Sequence, residues 1–365
     1  MTLAVGLQPG PTVAQPRIEQ RPGRVSGGGP DHSWPTADPQ DRGVDADGLE
    51  GAARLAASNE SDSLLVIHDG AIVLERYWNG KGPGDVQQTY SGTKSLFALV
   101  VGRAIERGYL RDLDQPVREF VPEMPEEHSA VTFRSVLAME SGVANSPEME
   151  GLGRSGKTQL EIALERRIIA APFERYHYNN VVYRLLFTAL ERASGKSLEE
   201  LTAEEALAPL SIDGAYWVRL YAVDGDTETF TGYQSIRLTP RDFAKSAQVI
   251  LDGGMWNGER YLPQSYTAAL VESPAPRANP SFGLFHHLNA GDFFRGYTVP
   301  ERNDRKLVPG APDDTFLMFG SGGQLVAGVP SLRLVIVRTG GGRGSIYEED
   351  NFFAELIRRI AESVR

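Results

Sequence analysis

Tyr90-Ser91-Gly92-Thr93-Lys94-Ser95-Leu96-Phe97-Ala98-Leu99-Val100-Val101-Gly102-Arg103-Ala104-Ile105 opens on a serine with a lysine three residues later and then runs almost wholly apolar. Gly108 follows as a glycine C-cap, so the stretch predicts a buried helix that starts at Ser91. A lysine on a buried helix needs a reason. Residues three apart share a helix face, so the Ser91 hydroxyl and the Lys94 amine come together. A serine hydroxyl is a poor nucleophile at neutral pH and needs a base within hydrogen-bond reach. The free N–H groups and positive dipole end at Ser91 favour a developing oxyanion. The same field, with burial, lowers the lysine pKa so that a neutral amine can act as base. The plain alternative is a serine N-cap before a helical lysine. With roughly two dozen serines and six lysines, composition alone yields about 0.4 such pairs by chance, so the pair is not decisive by itself.

Upstream, Leu64-Leu65-Val66-Ile67, Asp69-Gly70 and Ala71-Ile72-Val73-Leu74 read as a β-hairpin with a tight Asp-Gly turn. Residues 1–45 are rich in Gly and Pro, show neither helical nor strand period, and read as an extended arm. Downstream, helical patterns cover Val131 to Met139, Gln159 to Ile169, Val181 to Ala193, and Pro240 to Leu251 with Thr239 as N-cap. Thr315 to Phe319, Gln324 to Val329 and Leu332 to Arg338 are β-rich, and a helix closes the chain from about Glu348 to Val364. Strands at both ends with helices between them predict one sheet built from the two termini and an inserted helical unit.

Two further stretches carry chemistry. Tyr176-His177-Tyr178-Asn179-Asn180 precedes a helix and contains Tyr-x-Asn. A phenol near an ammonium can be drawn toward phenolate and relay a proton, while an amide orients substrate and lysine. Phe319-Gly320-Ser321-Gly322-Gly323-Gln324 lies between two β-rich segments. Its glycines allow substrate to lie along a strand edge, and the Ser321 N–H can join that of Ser91 as an oxyanion hole. Taken singly, an aromatic loop and a glycine turn are the ordinary readings of these two.

Composition removes other classes. A formal net charge of −11 without a dense Lys/Arg cluster argues against nucleic acid. Apolar runs fall short of the roughly 20 residues a bilayer span needs, and the first fifteen residues make a poor signal peptide, which favours the cytoplasm over the periplasm or secretion. There is no cysteine, and the six histidines include no HExxH spacing, so a metal or organic cofactor is not expected. Gly151-Leu152-Gly153-Arg154-Ser155-Gly156-Lys157-Thr158 satisfies the phosphate-loop pattern. The segment before it, Asn145 to Glu150, is polar, acidic and broken by Pro147 rather than a buried strand, so a loop capping the next helix is the preferred reading over a nucleotide site.

In this order, the Ser-x-x-Lys, Tyr-x-Asn and Gly-rich motifs resemble the serine β-lactamase, DD-peptidase and esterase superfamily, most closely the class C-like branch that includes 6-aminohexanoate-dimer hydrolases. Val131 to Gly142, Arg237 to Asp242, Trp34-Pro35-Thr36 and the Gly-x-Gly-Gly-Gln signature strengthen the likeness. The resemblance implies an α/β (α+β sandwich) fold: an antiparallel sheet from both chain ends, flanked by helices, over 46–112 plus 283–365, with a mainly helical insertion at 113–282. It implies Ser91 as nucleophile, Lys94 and Tyr178 as acid/base partners, Asn180 as positioning amide and Ser321 as oxyanion donor, with Gly322 and Gly323 beside the pocket. Where β-lactamases and peptidases place a Lys or His to pair with a substrate carboxylate, this chain has Ser321. The expectation is therefore a hydrolase of a small ester or amide rather than a true β-lactamase, with an acyltransferase or a non-catalytic ligand-binding relative as alternatives. Arg338-Thr339-Gly340 imitates the basic triplet but reads as the end of a strand.

Overall fold

The computed structural model describes residues 17–25, 34–145, 157–342, 344–349 and 351–364. The chain runs from β1 (Arg17–Val25) to α1 (Ala46–Ala57), whose N-cap Asp45 accepts from the Asp47 N–H. The hairpin β2 (Ser61–His68) and β3 (Ala71–Tyr77) follows. Its turn residues Asp69 and Gly70 have φ of 47° and 73°, the left-handed pair that a two-residue hairpin turn demands. After β4 (Gln87–Gln88) comes α2 (Gly92–Glu106), then α3 (Phe133–Leu137), α4 (Gln159–Leu164), α5 (Leu185–Ser194) and α6 (Leu198–Leu201). Next are β5 (Tyr216–Asp224), β6 (Thr227–Leu238) and α7 (Pro240–Leu251), capped by Thr239 as its sequence predicts. A small hairpin, β7 (Met255–Trp256) with β8 (Glu259–Arg260), precedes α8 (Gln264–Leu270). The chain ends with β9 (His287–Leu288), β10 (Phe316–Gly320), β11 (Gln324–Val329), β12 (Leu334–Gly340) and α9 (Phe352–Ser363).

Six strands form the main sheet in the order β3-β2-β12-β11-β10-β9, all neighbours antiparallel. Its seam is the pairing of β2 with β12, with Val66 opposite Ile336, which joins the two ends of the chain as the pattern of β-rich segments predicts. Side chains alternate across a strand. Leu64 and Val66 therefore pack with α1 and α9 through Leu49, Ala52, Leu356 and Ile360, while Leu65 and Ile67 face the core containing α2 and α7. Burial on both faces explains why β2 is a continuous apolar run rather than an alternating one.

Helix α2 lies inside that second core, with every residue from Gly92 to Ala104 buried. A helix enclosed on all sides shows no amphipathic stripe. Phe97 on α2 meets Phe187 of α5 edge to face at 4.9 Å, and a buried phenylalanine of this kind contributes about 1.5–3 kcal/mol by area alone. The helix that begins at Ser91 is thus a fixed post.

The middle of the chain, expected to be mainly helical, also holds β5 and β6. They join β1 and β4 in a second antiparallel sheet ordered β1-β5-β6-β4. The strand signal was present in the aromatic and β-branched run Tyr216-Trp217-Val218-Arg219-Leu220-Tyr221. β1 belongs to the stretch read as a patternless arm. Arg17 pairs with Val223 and Arg21 with Arg219, so its hydrogen-bond partners lie about 200 residues away and leave no local signature. Two expected helices are also shorter than their patterns: α3 stops before Met139, which takes φ of 60°, and α4 stops at Leu164.

Of the phosphate-loop-like stretch, Gly151 to Gly156 lie outside the described residues. Thr158 caps α4 in a reciprocal capping box with Glu161, and Lys157 Nζ donates to Glu165 at 2.6 Å. Both residues serve the helix end. No helix among the described residues is long and apolar enough to cross a membrane.

Candidate active site

Ser91 sits at the turn into α2, and that turn is clamped. Thr89 donates from its N–H and its hydroxyl to the Ile236 carbonyl of β6 at 3.1 and 2.9 Å. The Thr93 hydroxyl in turn accepts from the Ile236 N–H at 2.9 Å. Between them Tyr90 adopts a left-handed φ of 47°. A non-glycine residue pays strain energy for that conformation, and such strain persists where the surroundings over-determine the backbone. Gly320, at the end of β10, abuts the same turn: a Cβ there would lie 2.1 Å from the Thr89 carbonyl oxygen. Only glycine lets β10 approach so closely, and the approach carries Ser321 to the side of Ser91.

Lys94 projects from the first turn of α2 and is buried. Its Nζ lies 3.5 Å from Ser91 Oγ and donates to Asn180 Oδ1 at 2.9 Å, with the rings of Tyr183 and Tyr178 at 4.7 and 5.1 Å. Burial, helped by the Arg184 guanidinium, brings its pKa down to about 7. The Tyr178 phenol hydrogen-bonds Ser91, and burial, which outweighs that bond, raises its pKa. Burial thus favours the protonated phenol at Tyr178 over the shift toward phenolate that the sequence reading considers.

The Tyr178–Asn180 segment is held by its neighbours. Asn179 Oδ1 accepts from the Val181 and Val182 N–H groups at 2.8 and 3.0 Å, and its Nδ2 donates to the Val143 carbonyl at 2.8 Å. The Asn180 carbonyl accepts from Arg184 Nε at 3.1 Å, and a second Arg184 nitrogen donates to the Tyr233 carbonyl. The sequence reading selects Asn180 for its function and holds an asparagine cap as the ordinary alternative; Asn179 supplies that cap.

Ser91, Tyr178, Asn180 and Ser321 line one cavity of about 310 Å³. The remaining wall is aromatic or small: His287, Tyr297, Thr298, Phe319, Gly344, Ser345 and Tyr347. Burial, then His286 and Lys94, lowers the His287 pKa to about 3, so its imidazole is neutral throughout the useful pH range. No Lys, Arg, Asp or Glu is among the described lining residues. Gly322 and Gly323, expected beside the pocket, are not part of its wall, because their carbonyls turn the other way to accept from Arg338. Behind the cavity, burial raises the pKa of Glu140 to about 8, and its Oε2 has no hydrogen-bond partner among the described residues. His287, Tyr297 and Tyr347 escaped the sequence reading because each comes from a loop or short strand with no motif of its own. Among the described residues no cluster of three or more carboxylate or imidazole side chains could hold a metal ion.

Among curated proteins the chain is similar to the 6-aminohexanoate-dimer hydrolase of Paenarthrobacter ureafaciens, 24% identical over 269 residues that cover 68% of this chain and 67% of that protein. It is similar as well to the esterase/beta-lactamase LipL of Mycobacterium tuberculosis, 30% identical over 172 residues, 42% of this chain and 38% of that protein. In fold it is similar to a penicillin-binding protein homologue from Caulobacter crescentus, with a TM-score of 0.66 at 15% identity over 88% of this chain and 98% of that one. A family model described as Beta-lactamase matches residues 20–344, nearly the whole of the chain that carries the two sheets and the cavity, and the protein belongs to the beta-lactamase family.

Proposed function

We propose that this protein is a serine hydrolase that cleaves a small ester or amide through an acyl-enzyme on Ser91. The observation that carries the reading is the placement of the buried Lys94 amine, with its pKa near 7, between Ser91 Oγ and Asn180 Oδ1. Neutral Lys94 takes the Ser91 proton as Oγ attacks the carbonyl carbon. The oxyanion is received by the Ser91 and Ser321 N–H groups, which are fixed before substrate arrives. As the tetrahedral species collapses, the proton returns through the Tyr178 hydroxyl to the leaving oxygen or nitrogen. Water then repeats the sequence on the acyl group, with Lys94 as base, and restores Ser91.

The cavity favours uncharged acyl groups. Ser321 stands where a substrate carboxylate would otherwise find a cation, and the Tyr178, Tyr297, Phe319 and Tyr347 rings offer apolar and edge-on contacts. The named relatives, a 6-aminohexanoate-dimer hydrolase and an esterase/beta-lactamase, support a hydrolase reading, and the uncharged cavity wall favours an ester or amide over a penicillin. The test is labelling with a fluorophosphonate and turnover of p-nitrophenyl esters. Wild-type protein is expected to take up one label at Ser91, and Ser91→Ala none. A Ser91→Ala protein that still labels or turns over ester at the wild-type rate sinks the assignment.

A further inference from the structure

Arg338 is the bulkiest fully buried side chain among the described residues. A guanidinium removed from water without a carboxylate partner is expensive, and here its hydrogen-bond acceptors are neutral. Nε donates to Ser61 Oγ at 2.8 Å, and one terminal nitrogen donates to the Asn59 carbonyl at 2.7 Å. The other donates to the carbonyls of Gly322 and Gly323 at 3.0 and 2.9 Å. Asp62 and Glu60 act on it only through space. The Phe352 and Phe353 rings complete the enclosure at 5.5 and 5.9 Å.

Three glycines make room for it. A Cβ at Gly323, Gly340 or Gly342 would come within 2.5, 2.8 or 2.9 Å of a guanidinium nitrogen. Gln324 reinforces the joint by donating to the Gly340 carbonyl at 2.6 Å. The joint thus spans β12, the turn between β10 and β11, and the loop after α1. Arg338 does not line the cavity that holds Ser91, which rules it out as an anchor for a substrate carboxylate there.

We infer that Arg338 is a positioning residue for the oxyanion segment, holding the Gly322 and Gly323 carbonyls away from the cavity so that the Ser321 N–H stays aimed at the reacting carbonyl. The inference rests on the role proposed above for Ser321. Gly322 and Gly323 both have left-handed φ, 73° and 78°, in a pair of residues with more backbone freedom than any other type. A peptide flip there would swing a carbonyl dipole toward the developing negative charge. Two carbonyls fastened to one cation cannot flip independently. The fixed cation also places positive potential behind the turn, on the side that favours an oxyanion.

Arg338→Met and Arg338→Lys test this, with melting temperature, kcat and KM on a p-nitrophenyl ester, and the rate of fluorophosphonate labelling. Removing an oxyanion donor typically costs about a hundredfold or more in kcat. Arg338→Met is expected to lose about that much with KM changed less than about threefold. Arg338→Lys keeps the buried charge, but its single ammonium cannot serve Ser61, Asn59 and both glycine carbonyls at once. It is expected to lose at least about tenfold in kcat, and it carries the test if the methionine variant does not fold. A folded variant with kcat within about threefold of wild type overturns the inference. So does a loss expressed mainly in KM. Wild-type protein that never labels at Ser91 would instead overturn the reading on which the inference stands.

Discussion

Replacing Asn180 by aspartate changes one atom type at the position that accepts a hydrogen bond from Lys94 Nζ at 2.9 Å and leaves its size unchanged. A carboxylate this close stabilises the ammonium over the amine, and an opposite charge within hydrogen-bond range shifts a pKa by about one to three units. Lys94 begins near 7 because it is buried, so in Asn180→Asp it moves to roughly 8–10. At pH 7 the wild-type amine is about half neutral; with a pKa near 9 about 1% is neutral, a loss of about fiftyfold in the rate of Ser91 acylation. At pH 9 the same comparison leaves only about a twofold deficit. The assay is the second-order rate of fluorophosphonate labelling between pH 5 and 10, which reports acylation alone. Wild type is expected to rise with unit slope and level off just above pH 7, and the variant to level off one to three pH units higher. Coincident acid limbs would refute Lys94 as the base. A uniform loss at every pH would mean that Asn180 acts on the substrate and not on the lysine.

Stability should respond to the same lysine with a definite sign. Its folded pKa of about 7 lies below the usual 10.5, so the unfolded chain binds more protons between those values and the penalty of burying the ammonium is fully present below pH 7 and gone above about 10.5. Lys94→Met is therefore expected to be more stable than wild type at pH 6. The gain is at most about 5 kcal/mol, reduced by the roughly 1–3 kcal/mol of leaving Asn180 Oδ1 without its donor, and urea melts at pH 6 and 10 should show the gap closing. Gly320→Ala drives a methyl group to 2.1 Å from the Thr89 carbonyl, and its labelling rate should fall by about a hundredfold or more as the two oxyanion donors separate; unchanged labelling would mean that β10 does not set the site. Thr239→Ala removes the hydroxyl that accepts from the Asp242 N–H at the start of α7. It should cost about 1 kcal/mol in denaturant melts with kcat unchanged, and a change in kcat would show that α7 reaches the cavity.

What could be read from the residues alone was what short-range geometry decides. Ser91 and Lys94 share a helix face by spacing, the Asp69-Gly70 turn and the Thr239-Pro240 start follow from local backbone chemistry, and Tyr178 and Asn180 flank a capping asparagine. Features set by distant partners were not legible. β1 carries Pro22 and Gly23 and owes its existence to β5. His287 and Tyr347 meet at the cavity with their rings 5.7 Å apart although 60 residues separate them in the chain. Arg338 carries a charge that composition assigns to the surface, and only the glycines at 323, 340 and 342, brought together by the sheet, give it a place inside. The burial that raises the Tyr178 pKa is likewise invisible in the sequence, where only its motif neighbours can be seen.

The pairing of β2 with β12 also orders events in time. Ser91 and Lys94 are synthesised about 240 residues before β12 and its arginine. Until they emerge, β2 has no β12 to pair with, and the Gly322–Gly323 turn lacks its clamp. A nascent chain thus carries the proposed nucleophile for about 240 residues of synthesis without a finished place for the oxyanion. A fluorophosphonate offered to chains stalled before Leu334 should find nothing to label, and labelling should begin only once β12 has paired with β2.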